Sequence, residues 1–361
     1  MVAKLGAAVV LLPSLETGST ALKILTVMAG ASVGGAETFF VTLTLALSRA
    51  GLELRSVLKS NAMRERALKE GGIAHETASF RSPIDFTTTR TLRAIAQGFQ
   101  PDIALAFAGR AASFMPRGIC VLIGRLGGYY NLKNFNACDY LVCNAPDLVR
   151  YVTDGGWPAS KVFLIPNFAA VPDAPPLDRA QFATPKEAPL AVALGRLHPN
   201  KGLDVLIGAA ALIPELFVWI AGEGPERAKL ENLARDLGIG TRVKFLGWRE
   251  DRAGLYRAAD LCVYPSREEP FGNVVVEAWS VGTPIVTTAS TGPSWLVRNE
   301  EDAILTPVDD VQALAAGIRS VLSSKPLAER LVAAGRRRVS EEFSEKAIVR
   351  RYINLFEKVR H

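Results

Sequence analysis

The chain has little of what metal enzymes and secreted proteins are built from. Its 361 residues include three histidines, His75, His198 and His361, and four cysteines, Cys120, Cys138, Cys143 and Cys262. No Cys-x-x-Cys pair and no Asp-x-Asp occurs. Scattered cysteines in apolar surroundings read as buried reduced thiols, not zinc ligands or a disulfide framework, and point to a reducing cytoplasm. Without clustered imidazoles or carboxylates no metal site is expected. Positive charge at any bound phosphate should then come from side chains rather than Mg²⁺.

Long apolar runs are missing too. None approaches the ~18 residues that suggest a membrane span, and the longest candidate, Leu206–Gly222, is broken by Pro214 and Glu215. The start, MVAKLGAAVVLLPSLETGS, has a lysine and a short apolar patch, so a signal peptide has to be weighed. The patch is short, and KILTVM follows at once as a good first strand. Residues 1–21 are therefore expected to be a loose extension, with export the weaker reading.

What remains is ample core material. The chain is 49% hydrophobic and 22% charged, and its length suits two domains rather than one. Its charge is one-sided. Residues 1–172 hold 17 Lys and Arg against 11 Asp and Glu, whereas residues 173–361 hold 25 of each. A basic first half suits anionic partners such as lipid headgroups or phosphorylated acceptors, although a solvated basic surface gives the same count.

Apolar β-rich runs alternate with helical patterns in both halves. KILTVM, LRSVLK, IALAFA, CVLIGRL, YLVCNA and VFLIPN read as strands before residue 170, with helix-like stretches such as AETFFVTLTLALSRAG between them. A proline-rich break, AAVPDAPPLDRAQFATPKEAP, follows. The pattern then restarts with LAVALGR, LFVWIAG, VKFLG, LCVYPS and TPIVTT as strands. Buried continuous strands between amphipathic helices predict parallel, doubly wound sheets. The expected boundaries are a first lobe at 22–172, a linker at 173–188, a second lobe at 189–343 and a basic closing helix at 344–361 packing back on the first lobe. Ligands of such sheets bind beyond the carboxyl ends of the strands, which puts the site in the cleft between lobes.

Three stretches of the second lobe carry candidate chemistry. GRLHPNKG follows its first strand, and Arg196 and Lys201 there suit a cluster of anionic oxygens. Taken alone, they read better as two ordinary surface cations. AGEGPER, with Gly222 and Gly224, is either a tight strand-to-helix turn or a close backbone approach to a nucleotide. In SREEPFGNVVVEAW, a helix starting near Gly272 and Asn273 offers unpaired N–H groups to a phosphate. Glu277, one turn inside, is placed for ligand hydroxyls, and Glu269, on the preceding loop, for another part of the ligand. Glu268 is assigned to solvent.

Together these stretches resemble the family 4 retaining glycosyltransferases. Glu269 to Glu277 is similar to that family's E-x7-E signature, GRLHPNKGLDVLI to its phosphate-binding segment, AGEGPER to its glycine turn, and VGGAE (Val33–Glu37) to its first-lobe glycine loop. The order agrees, and the likeness runs over residues 22–357. It implies a GT-B fold: α/β, with two Rossmann-like doubly wound lobes facing across a central cleft. It further implies Arg196 and Lys201 on the donor diphosphate, Glu277 on the ribose and Glu269 on the transferred sugar. Gly222, Gly224, Pro270, Phe271, Gly272 and Asn273 would line the donor, and Gly35 would contact phosphate or acceptor from across the cleft. The histidine that many members carry at the end of a first-lobe strand is absent from IALAFAGRAASF, where Arg110 is the only charged residue.

The expected activity is therefore retaining, metal-independent transfer of a mannose- or glucose-type hexose. The donor would be a UDP- or GDP-sugar, with no cofactor. GRLGGYYNLKNFNACDYLVCNAPDLVRYV resembles transferases of bacterial surface glycans and implies a lipid-linked or lipopolysaccharide-core acceptor at the inner face of the cell membrane, with Arg110 and Arg125 on the acceptor side. Nucleic acid is not an expected partner. A sugar-nucleotide epimerase of the same fold would need cleft acid/base groups that the first lobe lacks. A basic membrane- or nucleic-acid-binding module would leave the donor motifs unexplained, though Tyr129 and Tyr130 near Arg125 and Lys133 offer it some aromatic character. A glycosidase would need its two acids to flank one bond.

Overall fold

The structure, a computed structural model, describes residues 22–31, 34–81 and 85–360. The expected extension at 1–21, Val33 of the glycine loop and His361 lie outside the described residues. The first sheet has seven parallel strands: β1 (Lys23–Met28), β2 (Glu53–Lys59), β3 (Ala74–Ala78), β4 (Ile103–Phe107), β5 (Val121–Leu126), β6 (Tyr140–Cys143) and β7 (Val162–Leu164). Their order is β3-β2-β1-β4-β5-β6-β7. The second has six: β8 (Leu190–Leu194), β9 (Phe217–Ala221), β10 (Val243–Gly247), β11 (Leu261–Tyr264), β12 (Ile285–Thr288) and β13 (Ile304–Thr306), ordered β10-β9-β8-β11-β12-β13. In both sheets the order reverses beside the first strand, which opens a crevice at the carboxyl ends of β1 and β4 and of β8 and β11.

The expected strands are present within a few residues of their ends, and two further ones appear. β3, AHETA, and β13, ILT, are both edge strands with partly exposed residues. An edge strand packed on one side needs no continuous apolar run, so neither announced itself.

The segment expected to be a linker is strapped to the second lobe. Arg179 donates to the carbonyls of Ala258, Lys186 and Ala188, and the Trp219 indole N–H donates to Thr184 Oγ1 at 2.9 Å. The closing helix, Glu345–Val359, returns to the first lobe. Its Ile348, Tyr352 and Phe356 are fully buried in one cluster with Ile24, Phe40 and Leu105, and Arg49 pairs with Glu345 at 2.8 Å. Ile348→Val removes one methylene from this packing and is expected to cost about 1 kcal/mol in urea denaturation. No measurable change would mean that the helix does not pack there in solution.

Among the described residues the four cysteines are free, and three of them are buried. Burial pushes the thiols of Cys138 and Cys143 up to about 12, which leaves them protonated and inert. Among the described residues no helix is long and apolar enough to cross a membrane.

Candidate active site

The site is built where β8, β9 and β11 end. Gly195 N–H bonds to Ala221 O at 3.0 Å, and Leu197 N–H to Glu223 O at 2.9 Å, so strand-like pairing continues past β8 and β9 into both glycine-bearing loops. This joining explains the glycines. A β-carbon on Gly222 would collide with Gly195 O, and one on Gly224 with the Leu197 backbone. The AGEGPER turn is thus a packing device that welds the Arg196–Lys201 loop to the sheet.

A second weld comes from the far side. Asn200 O accepts from Arg267 N–H at 2.8 Å, Glu268 N–H at 3.3 Å and Ser266 Oγ at 3.2 Å. The Arg267 guanidinium also binds Asp204, Asp309 and Pro199 O. Gly202 takes φ +60° directly beneath Pro265 O, where a side chain has no room. The two loops therefore move as one body, which fixes Lys201 relative to Glu269.

Lys201 Nζ lies 2.6 Å from Glu269 Oε2, with side-chain exposures of 19% and 15%. The same carboxylate oxygen accepts from the Tyr264 hydroxyl, and Lys201 Nζ also reaches Tyr264 Oη at 3.3 Å. Burial, then the nearby Glu269 charge, pushes the Tyr264 phenol well above its ordinary range, so it remains a hydrogen-bond donor. Glu268 points to solvent, as expected. Arg196 is exposed on the same loop, and no side chain among the described residues pairs with it.

Helix Asn273–Val281 starts at Gly272, whose φ is +103°, and no side chain caps it. Its first amides are left for a ligand, and the macrodipole there favours an anion. Phe271 is buried against Trp295 and Phe343 and anchors the turn. Pro270 is partly buried beside it. Gly292 N–H holds Glu269 O at 2.7 Å, and a β-carbon on Gly292 would strike the Phe271 backbone.

Glu277 is more enclosed than its motif suggests. Its two oxygens accept from Arg252 and from Tyr256 Oη, the latter at 3.0 Å. Burial raises its pKa, with the Arg252 charge opposing. Across the cleft, Gly35 opens helix Gly35–Arg49, and the place of its missing β-carbon is 3.1 Å from Asn273 Nδ2. Arg110 is exposed on the short helix Ala108–Ser113, and no side chain among the described residues pairs with it.

Arg125 requires a correction. It is only 1% exposed, sandwiched by the Phe39 and Phe107 rings with its guanidinium bound to Tyr352 Oη and Asn167 Oδ1. A surface cation for an acceptor it is not. Tyr130 is partly buried against Phe135, which leaves Tyr129 and Lys133 as the exposed aromatic and basic groups of the segment. Arg252, Tyr256, Tyr264, Arg267 and Asn167 were not legible in sequence, because each acts through a tertiary contact with no local motif. A groove of about 910 Å³ beside edge strand β10 and helix Arg227–Asp236 contains none of the expected site residues.

The matching family model, glycosyl transferases group 1, covers residues 176–338. The chain is 36% identical over 328 residues to the lipopolysaccharide core biosynthesis glycosyltransferase LpsD of Rhizobium meliloti strain 1021, an alignment spanning 90% of this chain and 95% of that one. It belongs to the group 1 glycosyltransferases. LpsE of the same strain, also a lipopolysaccharide core biosynthesis glycosyltransferase, is 35% identical over 89% of this glycosyltransferase and 95% of its own length. In fold the glycosyltransferase is similar to Anabaena HepE, solved with UDP and glucose (TM-score 0.81, 21% identity, 94% of this chain and 100% of that one). It is also similar to WaaG, a glycosyltransferase involved in lipopolysaccharide biosynthesis (TM-score 0.70, 16% identity, 93% and 99%). The two facing sheets of this glycosyltransferase are thus a GT-B fold, as the motifs implied.

Proposed function

We propose that this glycosyltransferase moves a mannose- or glucose-type hexose, with retention and without a metal ion, from a UDP- or GDP-sugar to a lipopolysaccharide-core or lipid-linked acceptor. The observation that carries the donor half is convergence. Lys201, Glu269 and the uncapped start of helix Asn273–Val281 meet on two loops locked together through Asn200 and Arg267. A cation, a hydroxyl acceptor and free amides at one place suit a sugar joined to a diphosphate. The acceptor half rests on the relatedness to LpsD and LpsE, whose names refer to lipopolysaccharide core biosynthesis.

In this reading Lys201, Arg196 and the helix amides stabilise the leaving diphosphate as the bond from its oxygen to the anomeric carbon breaks. Glu269 holds a hydroxyl of the sugar. The acceptor oxygen forms the new bond on the same face and passes its proton to a donor phosphate oxygen, a route that needs no histidine at the end of β4. No cofactor enters. The inner membrane surface would supply the acceptor.

Thermal-shift screening with UDP, GDP, ADP and their sugars should raise the midpoint with one base family, by mass action. With that sugar nucleotide and a truncated core acceptor, transfer should persist in EDTA and yield an axial or equatorial linkage matching the donor's anomer by NMR. Inversion, or a requirement for added Mg²⁺, would sink that part of the reading.

A further inference from the structure

A hydrogen-bonded chain crosses the base of the cleft, and its direction is set at one end. Arg125 Nε donates to Tyr352 Oη at 3.0 Å, and Arg125 Nη2 donates to Asn167 Oδ1. Asn167 Nδ2 then donates to Asn273 Oδ1 at 2.7 Å. Arg125, Asn167 and Tyr352 are each at most 3% exposed, so water does not compete for these groups. With Asn273 they come from β5, from the chain after β7, from the closing helix and from the first residue of helix Asn273–Val281.

A primary amide can present either end to a neighbour, but a guanidinium can only donate. The Asn167 oxygen must therefore face Arg125, and its NH₂ must face Asn273. Asn273 in turn must offer its oxygen, which leaves its own NH₂ directed to the cleft, beside Gly35. A buried cation two contacts away thus decides that a donor, not an acceptor, stands at the start of the helix. Gly35 stands close to that NH₂, and a β-carbon there would crowd it at 3.1 Å.

We propose that Arg125 and Asn167 are positioning residues that fix the Asn273 side-chain amide, so that it adds N–H donors to the helix amides for a phosphate oxygen of the sugar nucleotide. This rests on the donor reading above. It also gives the buried Arg125 a task in the reaction without contact to any substrate.

Asn167→Asp tests the polarity. Aspartate still accepts from Arg125, now as an ion pair, but its second oxygen cannot donate. Asn273 then turns its NH₂ inward and shows its oxygen to the phosphate. The thermal midpoint should stay at or above the parent's, whereas a purely structural role predicts a change in stability alone. Affinity for UDP or GDP, whichever binds the parent, should fall about 30-fold, the scale of a lost hydrogen bond to a charged group. Affinity for the matching nucleoside should not change.

Asn273→Ala should weaken the diphosphate about 10-fold, and adding Asn167→Asp to it should cost less than about twofold more, because the path runs through Asn273. If Asn167→Asp weakens binding equally when Asn273 is already alanine, the effect is charge through space and the proposal fails. It fails equally if Asn167→Asp alone, or Asn273→Ala alone, binds the diphosphate as the parent does; the second result stands even if Asn167→Asp does not fold. A parent that binds no sugar nucleotide at all overturns the donor reading itself.

Discussion

Lys201→Ala should lower kcat/KM for the sugar nucleotide by about 10²–10³, the range seen when one preorganised group facing developing charge is removed. Two effects add. The variant loses the ammonium that meets the leaving diphosphate. It also leaves the Glu269 carboxylate, now held by Tyr264 alone, facing an incoming dianion. In the parent the 2.6 Å pair makes this corner neutral before a ligand arrives. Attraction and repulsion across about 4 Å are each worth up to about 4 kcal/mol at a surface-like dielectric, so the corner's sign matters more than its shape.

That reasoning separates Lys201→Ala from the double variant with Glu269→Gln. Neutralising Glu269 removes the repulsion, so diphosphate affinity in the double variant should exceed that of Lys201→Ala alone. Sugar selectivity should remain lost. A strongly non-additive cycle is the signature of two groups that share one oxygen contact. Lys201→Ala should also cost some stability, since it leaves a carboxylate only 15% exposed without its cation, whereas the backbone of loop 195–202 stays fixed through Asn200 and Arg267. Activity within about fivefold of the parent, on the scale where one donor is worth at least 10², would remove Lys201 from the diphosphate site.

The welds behind this prediction explain how far the sequence could be read. Strands with buried apolar runs, such as LAVALGR and LCVYPS, were legible because burial on both faces writes itself into consecutive residues. Edge strands AHETA and ILT were not, since one neighbour and partial exposure relax that demand. The same divide runs through the site. Lys201, Glu269, Glu277 and Gly272 sit in short loops and a helix start whose spacing is local. Tyr264 lies in LCVYPS, but its role is a hydroxyl donated to Glu269, a contact that no local spacing announces. Arg125 shows the reverse error. A cation in a basic, aromatic stretch looked like a surface contact, and only the fold revealed two phenyl rings closing over it.

Glu277 is where the two kinds of residue meet, and its removal should show both. Glu277→Ala is expected to destabilise the protein by about 3 kcal/mol, toward the low end for breaking a buried pair because Arg252 keeps some contact with solvent. The side chains of Arg252 and Glu277 are 25% and 11% exposed, and Tyr256 Oη would lose its acceptor as well. Glu277→Gln keeps an oxygen for Arg252 and lets the Tyr256 hydroxyl turn to accept from the new NH₂, so about 1 kcal/mol should be lost instead. If the carboxylate also receives the ribose hydroxyls, as the family resemblance implies, Glu277→Gln should still weaken nucleotide binding about tenfold at this small cost in stability. Urea denaturation and calorimetric titration of the two variants separate the outcomes. Weak binding by a stable Glu277→Gln protein makes Glu277 a ribose ligand braced by Arg252 and Tyr256. Full affinity in that protein makes it a strut between helices Arg252–Ala258 and Asn273–Val281, and moves ribose recognition to other groups.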